Sequence, residues 1–154
     1  MEIQFTLNGK MVSAEVAADT RLLDMLREKG CYSVKCGCET SNCGLCTVWM
    51  DGVPVLSCSV LAVRAEEHEI TTLEGLQEGA RELGAYLAAE GADQCGFCSP
   101  GLIMNVLAME RELENPTQEE VEEYLAGNLC RCTGYMAQKR AIEKYLKRTK
   151  EAQA

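Results

Sequence analysis

At 154 residues the chain is long enough for one compact domain or two small ones. A formal net charge of -9 argues against nucleic acid or an anionic membrane as partner, since both attract clustered Lys and Arg. No run approaches the roughly 20 apolar residues of a membrane span and MEIQFTLNGK is no export signal, so a cytoplasmic protein is expected, in which ten cysteines point to metal binding or thiol chemistry rather than disulfides.

Residues 2–7 alternate, with Ile3, Phe5 and Leu7 on one face, which is the period of a half-buried strand. Asn8-Gly9 predicts a hairpin turn into a second strand carrying Val12, Ala14 and Val16. Asp19 or Thr20 is placed to cap a helix whose Leu22, Leu23 and Leu26 share a face. Beyond a cysteine-rich loop, TVWM and VPVLSC flank Asp51-Gly52, a second hairpin signal, and HEITT adds a short last strand.

From about Leu73 the period becomes helical: Leu76, Ala80, Leu83 and Leu87 form one stripe, and Leu102, Ile103, Val106, Leu107 and Leu113 another after Pro100. Asn115-Pro116 breaks the chain, Thr117 with Glu120 forms a capping box, and Gly127 marks the end of that third helix. A fourth helix runs from about Met136 to Arg148, and runs such as Glu122-Glu123 read as solvated helix faces. The expectation is an α+β chain, with a sheet domain over residues 1–75 and a four-helix domain over 76–154.

Cys38, Cys43 and Cys46 give C-x4-C-x2-C, followed by Cys58 after a hairpin, which is the plant-type [2Fe-2S] ligand spacing. A loop wrapped round a cluster must aim its thiolates inward and its N–H groups at the sulfurs, and Gly37 and Gly44 relieve the crowding. Using Cys36 in place of Cys38 breaks the spacing, so Cys31 and Cys36 are expected to be non-ligands packed as small buried hydrophobes.

Cys95 and Cys98 form C-x2-C at the start of a helix, and Cys130 and Cys132 form C-x-C after 31 intervening residues, so four thiolates can converge there. Helix N-termini favour thiolates and an anionic iron-sulfur core. Taken alone, CGFC also suits a thioredoxin-like dithiol or half a zinc site, although the C-x-C pair fits neither well. The single histidine, His68, lies in a charged loop and reads as a surface or structural residue.

Together KCGCETSNCGLCTV, VLSCSV, QCGFCSPGLIM and NLCRCTGY resemble the small iron-sulfur subunit of the molybdenum hydroxylase family, which includes xanthine dehydrogenases, aldehyde oxidoreductases and nicotinate dehydrogenases. The resemblance spans nearly the whole chain. It implies a plant-ferredoxin-like β-grasp domain followed by a C-terminal four-helix [2Fe-2S]-binding domain. It also implies that Cys95, Cys98, Cys130 and Cys132 hold the cluster beside a molybdopterin dinucleotide on a large subunit, while Cys38, Cys43, Cys46 and Cys58 hold the cluster that passes electrons to FAD on a medium subunit. Gln94 looks like the residue that reaches the pterin dinucleotide, or else a plain polar residue at a helix entry, and Cys132 looks like the ligand nearest the pterin. The loop departs from many relatives in carrying Thr40 and Ser41 in place of glycines, and Ser99 stands where Thr is usual.

With no G-x-G-x-x-G, P-loop or nucleophile-base pairing, substrate oxidation is expected on another chain. The resulting expectation is an electron relay in a xanthine dehydrogenase-like hydroxylase of purines or related N-heterocycles. Such a subunit would sit in a hetero-oligomer, a dimer of heterotrimers being one arrangement open to it. The alternatives are the small subunit of an aldehyde- or carbon monoxide-oxidising homologue and a free two-cluster ferredoxin.

Overall fold

The structure is a computed structural model that describes residues 1–151, with side chains through Arg148. Strand β1 (Glu2–Leu7) buries Ile3, Phe5 and Leu7 and turns at Asn8-Gly9 into β2 (Lys10–Glu15). Asn8 and Gly9 both take positive φ, 50° and 77°, as the hairpin turn with the matching twist requires. Asp51-Gly52 repeats the device, with φ of 50° and 80°, between β3 (Thr47–Met50) and β4 (Val53–Leu56).

With β5 (Glu69–Thr71) these strands form one sheet in the order β2-β1-β5-β3-β4, in which only β1 and β5 run parallel. Helix α1 (Leu22–Glu28) lays Leu22, Leu23, Met25 and Leu26 into the same core as Ile3, Phe5, Val48 and Ile70, giving the expected β-grasp arrangement. Its N-terminus differs from expectation. Arg21 is the capping position and gives no side-chain cap, because its backbone is held extended by a bridge to Leu61, while the Thr20 hydroxyl turns back to accept from Ala17 N–H.

Four helices follow among the described residues: α2 (Gln77–Ala89), α3 (Ser99–Glu112), α4 (Gln118–Tyr124) and α5 (Met136–Glu151). The α4 capping box forms as read, with Thr117 and Glu120 bonding reciprocally, but the helix ends before Gly127, in a turn. Helix α3 is buried on most sides, from Gly101 through Met109, so it is the axis of a second core completed by Leu83, Leu87, Ala141, Ile142 and Tyr145.

The sheet enters this second core through Trp49, whose indole N–H donates to the Met104 carbonyl at 3.0 Å. The two parts meet tightly elsewhere. A Cβ on Gly101 would lie 2.3 Å from the Gly44 carbonyl oxygen, so only glycine lets α3 approach the cysteine loop. No described helix is long and apolar enough to cross a membrane.

Candidate metal centres

The segment between α1 and β3 folds back on itself and brings Cys38, Cys43 and Cys46 beside Cys58, which lies in a 3-10 turn after β4. The loop is crowded: a Cβ on Gly37 would fall 2.8 Å from Leu45 Cδ2 and 3.2 Å from Cys43 Sγ. Cys38 faces Cys43, and Cys46 faces Cys58. The amides of Asn42 and then Thr40 donate toward Cys38 and pull its thiol down to about 6. Burial pushes Cys46 up to about 11 and also raises Cys43. At Cys58 burial acts upward but is outweighed by the hydroxyls of Ser41 and Ser59, so its thiol is lowered.

The second set meets where the start of α3 and the segment before α5 converge. The Cys132 thiol lies 3.4 Å from Cys95, and Cys130 faces Cys98. Cys95 is lowered, first by the Phe97 amide, and Cys132 is raised, first by Cys95. Cys98 is pushed up to about 11 by burial and then by Cys130, while at Cys130 the Thr133 hydroxyl and amide outweigh burial and lower it.

Both sets therefore consist of two facing thiol pairs. Among the described residues no group of three or more His, Cys, Asp or Glu side chains could hold a metal ion. Two thiol pairs side by side have the chemistry that a two-iron cluster would need, in which each iron would take two protein ligands. N–H groups aimed at the sulfurs supply the hydrogen bonds that an anionic core needs.

Comparison with known proteins agrees with this chemistry. The 2Fe-2S iron-sulfur cluster binding domain matches residues 5–88, and the [2Fe-2S] binding domain matches residues 72–143. The chain is 44% identical over 137 residues to the nicotinate dehydrogenase small FeS subunit of Eubacterium barkeri, covering 87% of each. It is 47% identical over 137 residues to the xanthine dehydrogenase iron-sulfur-binding subunit of Escherichia coli O157:H7, covering 86% of each. Among solved structures, quinoline 2-oxidoreductase from Pseudomonas putida 86 superposes with a TM-score of 0.85 at 39% identity, covering 96% of both chains.

The chain belongs to the small iron-sulfur subunits of the molybdenum hydroxylases. Its role is electron transfer on two [2Fe-2S] clusters. In this iron-sulfur subunit Cys31 is buried as expected, but Cys36 is exposed and does not pack as a small hydrophobe. The Lys35 amide is tied to the Leu45 carbonyl and Gly37 packs against Leu45, which leaves residue 36 facing outward. Gln94 is exposed beside the exposed Cys95, and Cys132 is exposed as well, so this side of the helical centre faces outward. His68 pairs with Asp51 at 2.5 Å, beside the β3-β4 turn, which fits a structural role.

Four side chains outside the expected ligand sets also reach the sulfurs of the iron-sulfur subunit, three of them within the cysteine motifs themselves. The Thr133 hydroxyl donates to Cys130 Sγ at 3.1 Å, and Gln138 Nε2 to Cys98 Sγ at 3.7 Å. The hydroxyls of Ser41 and Ser59 each lie 3.6 Å from Cys58 Sγ. Gln138 is a buried polar residue at helical spacing from Ala141, Ile142 and Tyr145, and that spacing is the signal in the sequence that could have found it.

Proposed function

We propose that Cys38, Cys43, Cys46 and Cys58 ligate one [2Fe-2S] cluster and Cys95, Cys98, Cys130 and Cys132 the other, in domains of residues 1–75 and 76–154. When bound, each cluster supplies a one-electron acceptor and donor. The observation that carries this reading is the arrangement of eight thiols as two sets of two facing pairs. The chain relays electrons from a molybdopterin dinucleotide site on a large partner subunit, through the helical centre and then the ferredoxin-like one, to FAD on a medium subunit.

The backbone supports that route within the chain. Leu129 N–H donates to the Cys43 carbonyl at 3.0 Å, so one hydrogen bond separates a residue of the first set from the neighbour of Cys130. The outward side of the helical centre carries Cys132 and Gln94, which suits them to the pterin. Exposed Phe97, Leu129, Tyr135 and Met136 flank the same cysteines, an apolar rim of the kind that a partner subunit covers. A hetero-oligomer results, and a two-fold dimer of heterotrimers is one closed arrangement open to it.

The names of the relatives, nicotinate and xanthine dehydrogenases and a quinoline oxidoreductase, favour a purine or related N-heterocycle as substrate, oxidised on the large subunit in the cytoplasm. Iron and acid-labile sulfide analysis of the anaerobically purified protein, with EPR after dithionite reduction, tests the ligand assignment. Two distinct rhombic signals with about four irons and four sulfides per chain are expected. Zinc, or a single signal, would show one cysteine set to be misassigned.

A further inference from the structure

We propose that Ser41 and Ser59 form a hydroxyl relay to Cys58 that raises the reduction potential of the ferredoxin-like cluster. The inference rests on the assignment of Cys58 as a ligand. The Ser59 hydroxyl donates to Ser41 Oγ at 2.6 Å, and each hydroxyl oxygen lies 3.6 Å from Cys58 Sγ. A serine hydroxyl has one hydrogen to give. With that of Ser59 committed to Ser41, the Ser41 hydrogen is left for the sulfur, and its donation is strengthened by the bond that Ser41 accepts.

The backbone gives a second reason to assign Ser41 a role. It takes φ +59°, in the left-handed region where a side chain is disfavoured and glycine sits freely. A hydroxyl held at such a position, against a metal-ligand sulfur, is a feature that packing does not require, for Ser41 is exposed. Reduction adds one electron and moves no proton in this relay. The extra negative charge on Cys58 sulfur strengthens the hydrogen bond from Ser41, so the reduced state gains more than the oxidised state, which raises the potential. Ser59 acts through Ser41 and is a positioning residue.

Redox titration of the intact assembly, following the EPR signals of both clusters, tests this. Ser41→Gly relaxes the backbone while freeing the Ser59 hydroxyl to donate directly, and Ser59→Ala leaves Ser41 donating alone, so each single variant lowers the ferredoxin-like potential modestly. The double variant removes both donors and shifts the equilibrium toward the oxidised cluster by about tenfold, or about 59 mV for a one-electron couple, more than the two singles combined. Ser59→Thr keeps a hydroxyl and holds the wild-type potential, and the helical cluster does not move in any variant. A double variant at the wild-type potential, or an equal shift of both clusters, would overturn the relay. Failure of the ligand assignment reads differently, as absence of the ferredoxin-like signal from the wild type.

Discussion

Cys132 and Cys36 are both exposed thiols beside a cysteine motif, yet they differ in what surrounds them. Cys132 has Cys95 within 3.4 Å and a second pair next to it, whereas Cys36 is exposed on its loop. Cys132→Ser is expected to abolish the helical-domain EPR signal and leave the ferredoxin-like one, and Cys36→Ser to leave both. Loss of a signal in the Cys36 variant would reverse the assignment. Gly101 makes a different residue-scale test. Its missing side chain would meet backbone, the Gly44 carbonyl at 2.3 Å, and neither partner can swing aside. Gly101→Ala should therefore destabilise by about 1–3 kcal/mol, measured by thermal unfolding, as overpacking of a rigid site does.

The elements differ in how they are held at their ends. Helix α4 is short and has no buried residue of its own, so its capping box matters more than it would in a longer helix. Thr117→Ala should cost about 1 kcal/mol and show first as faster amide exchange in α4. The connector between β5 and α2 is fastened by Glu74, which accepts from the Ser33 amide at 2.9 Å and from the hydroxyls of Ser33 and Thr72, both at 2.6 Å. Burial pushes this carboxyl up, but the hydrogen bonds from Ser33 and Thr72 outweigh it and its pKa is lowered. A lowered folded pKa means that the stabilisation is complete above the ordinary glutamate value of about 4.3 and is lost as pH falls through the folded value. Wild type should thus be more stable than Glu74→Gln at neutral pH, with the gap in melting temperature closing on acidification; a pH-independent gap would contradict it.

For the whole molecule, the junction between sheet and helices is the decisive contact. Trp49 is the only tryptophan in the chain, and it leaves its strand to join the helical core. Arg111 covers its ring at 4.2 Å and donates to the Gly52 carbonyl at 2.7 Å, so the β3-β4 hairpin is clamped to α3 from both sides. Trp49→Phe loses the bond to Met104 and some buried area, for an expected loss of about 1–2 kcal/mol. In the wild type, separation of the two parts should shift tryptophan emission to the red, and a mutation at Arg111 should bring that shift to lower denaturant concentration. The same junction lets Leu129 bond to Cys43, so loosening it should also weaken magnetic coupling between the reduced clusters.

Much of the fold was written in local signals. The Asn8-Gly9 and Asp51-Gly52 turns, the alternation of Ile3, Phe5 and Leu7, and the Thr117-Glu120 box each depend on neighbours a few residues away, and each formed as read. The cysteine spacings likewise pointed to the two sets of thiols that the fold brings together, although residues far apart in the chain separate the members of each set. Where the outcome depended on contacts distant in sequence, local reading fell short. Arg21 displaced Asp19 and Thr20 as the cap of α1 because Leu61, some way along the chain, held its backbone extended. Cys36 turned outward because Leu45 fixed the chain on either side of it. The sequence by itself determined the elements, the cluster chemistry and the family. Only the tertiary structure decided which thiols face which, how the two centres are joined through Leu129, and which hydroxyls reach Cys58, because those relations arise from packing between segments that no spacing along the chain encodes.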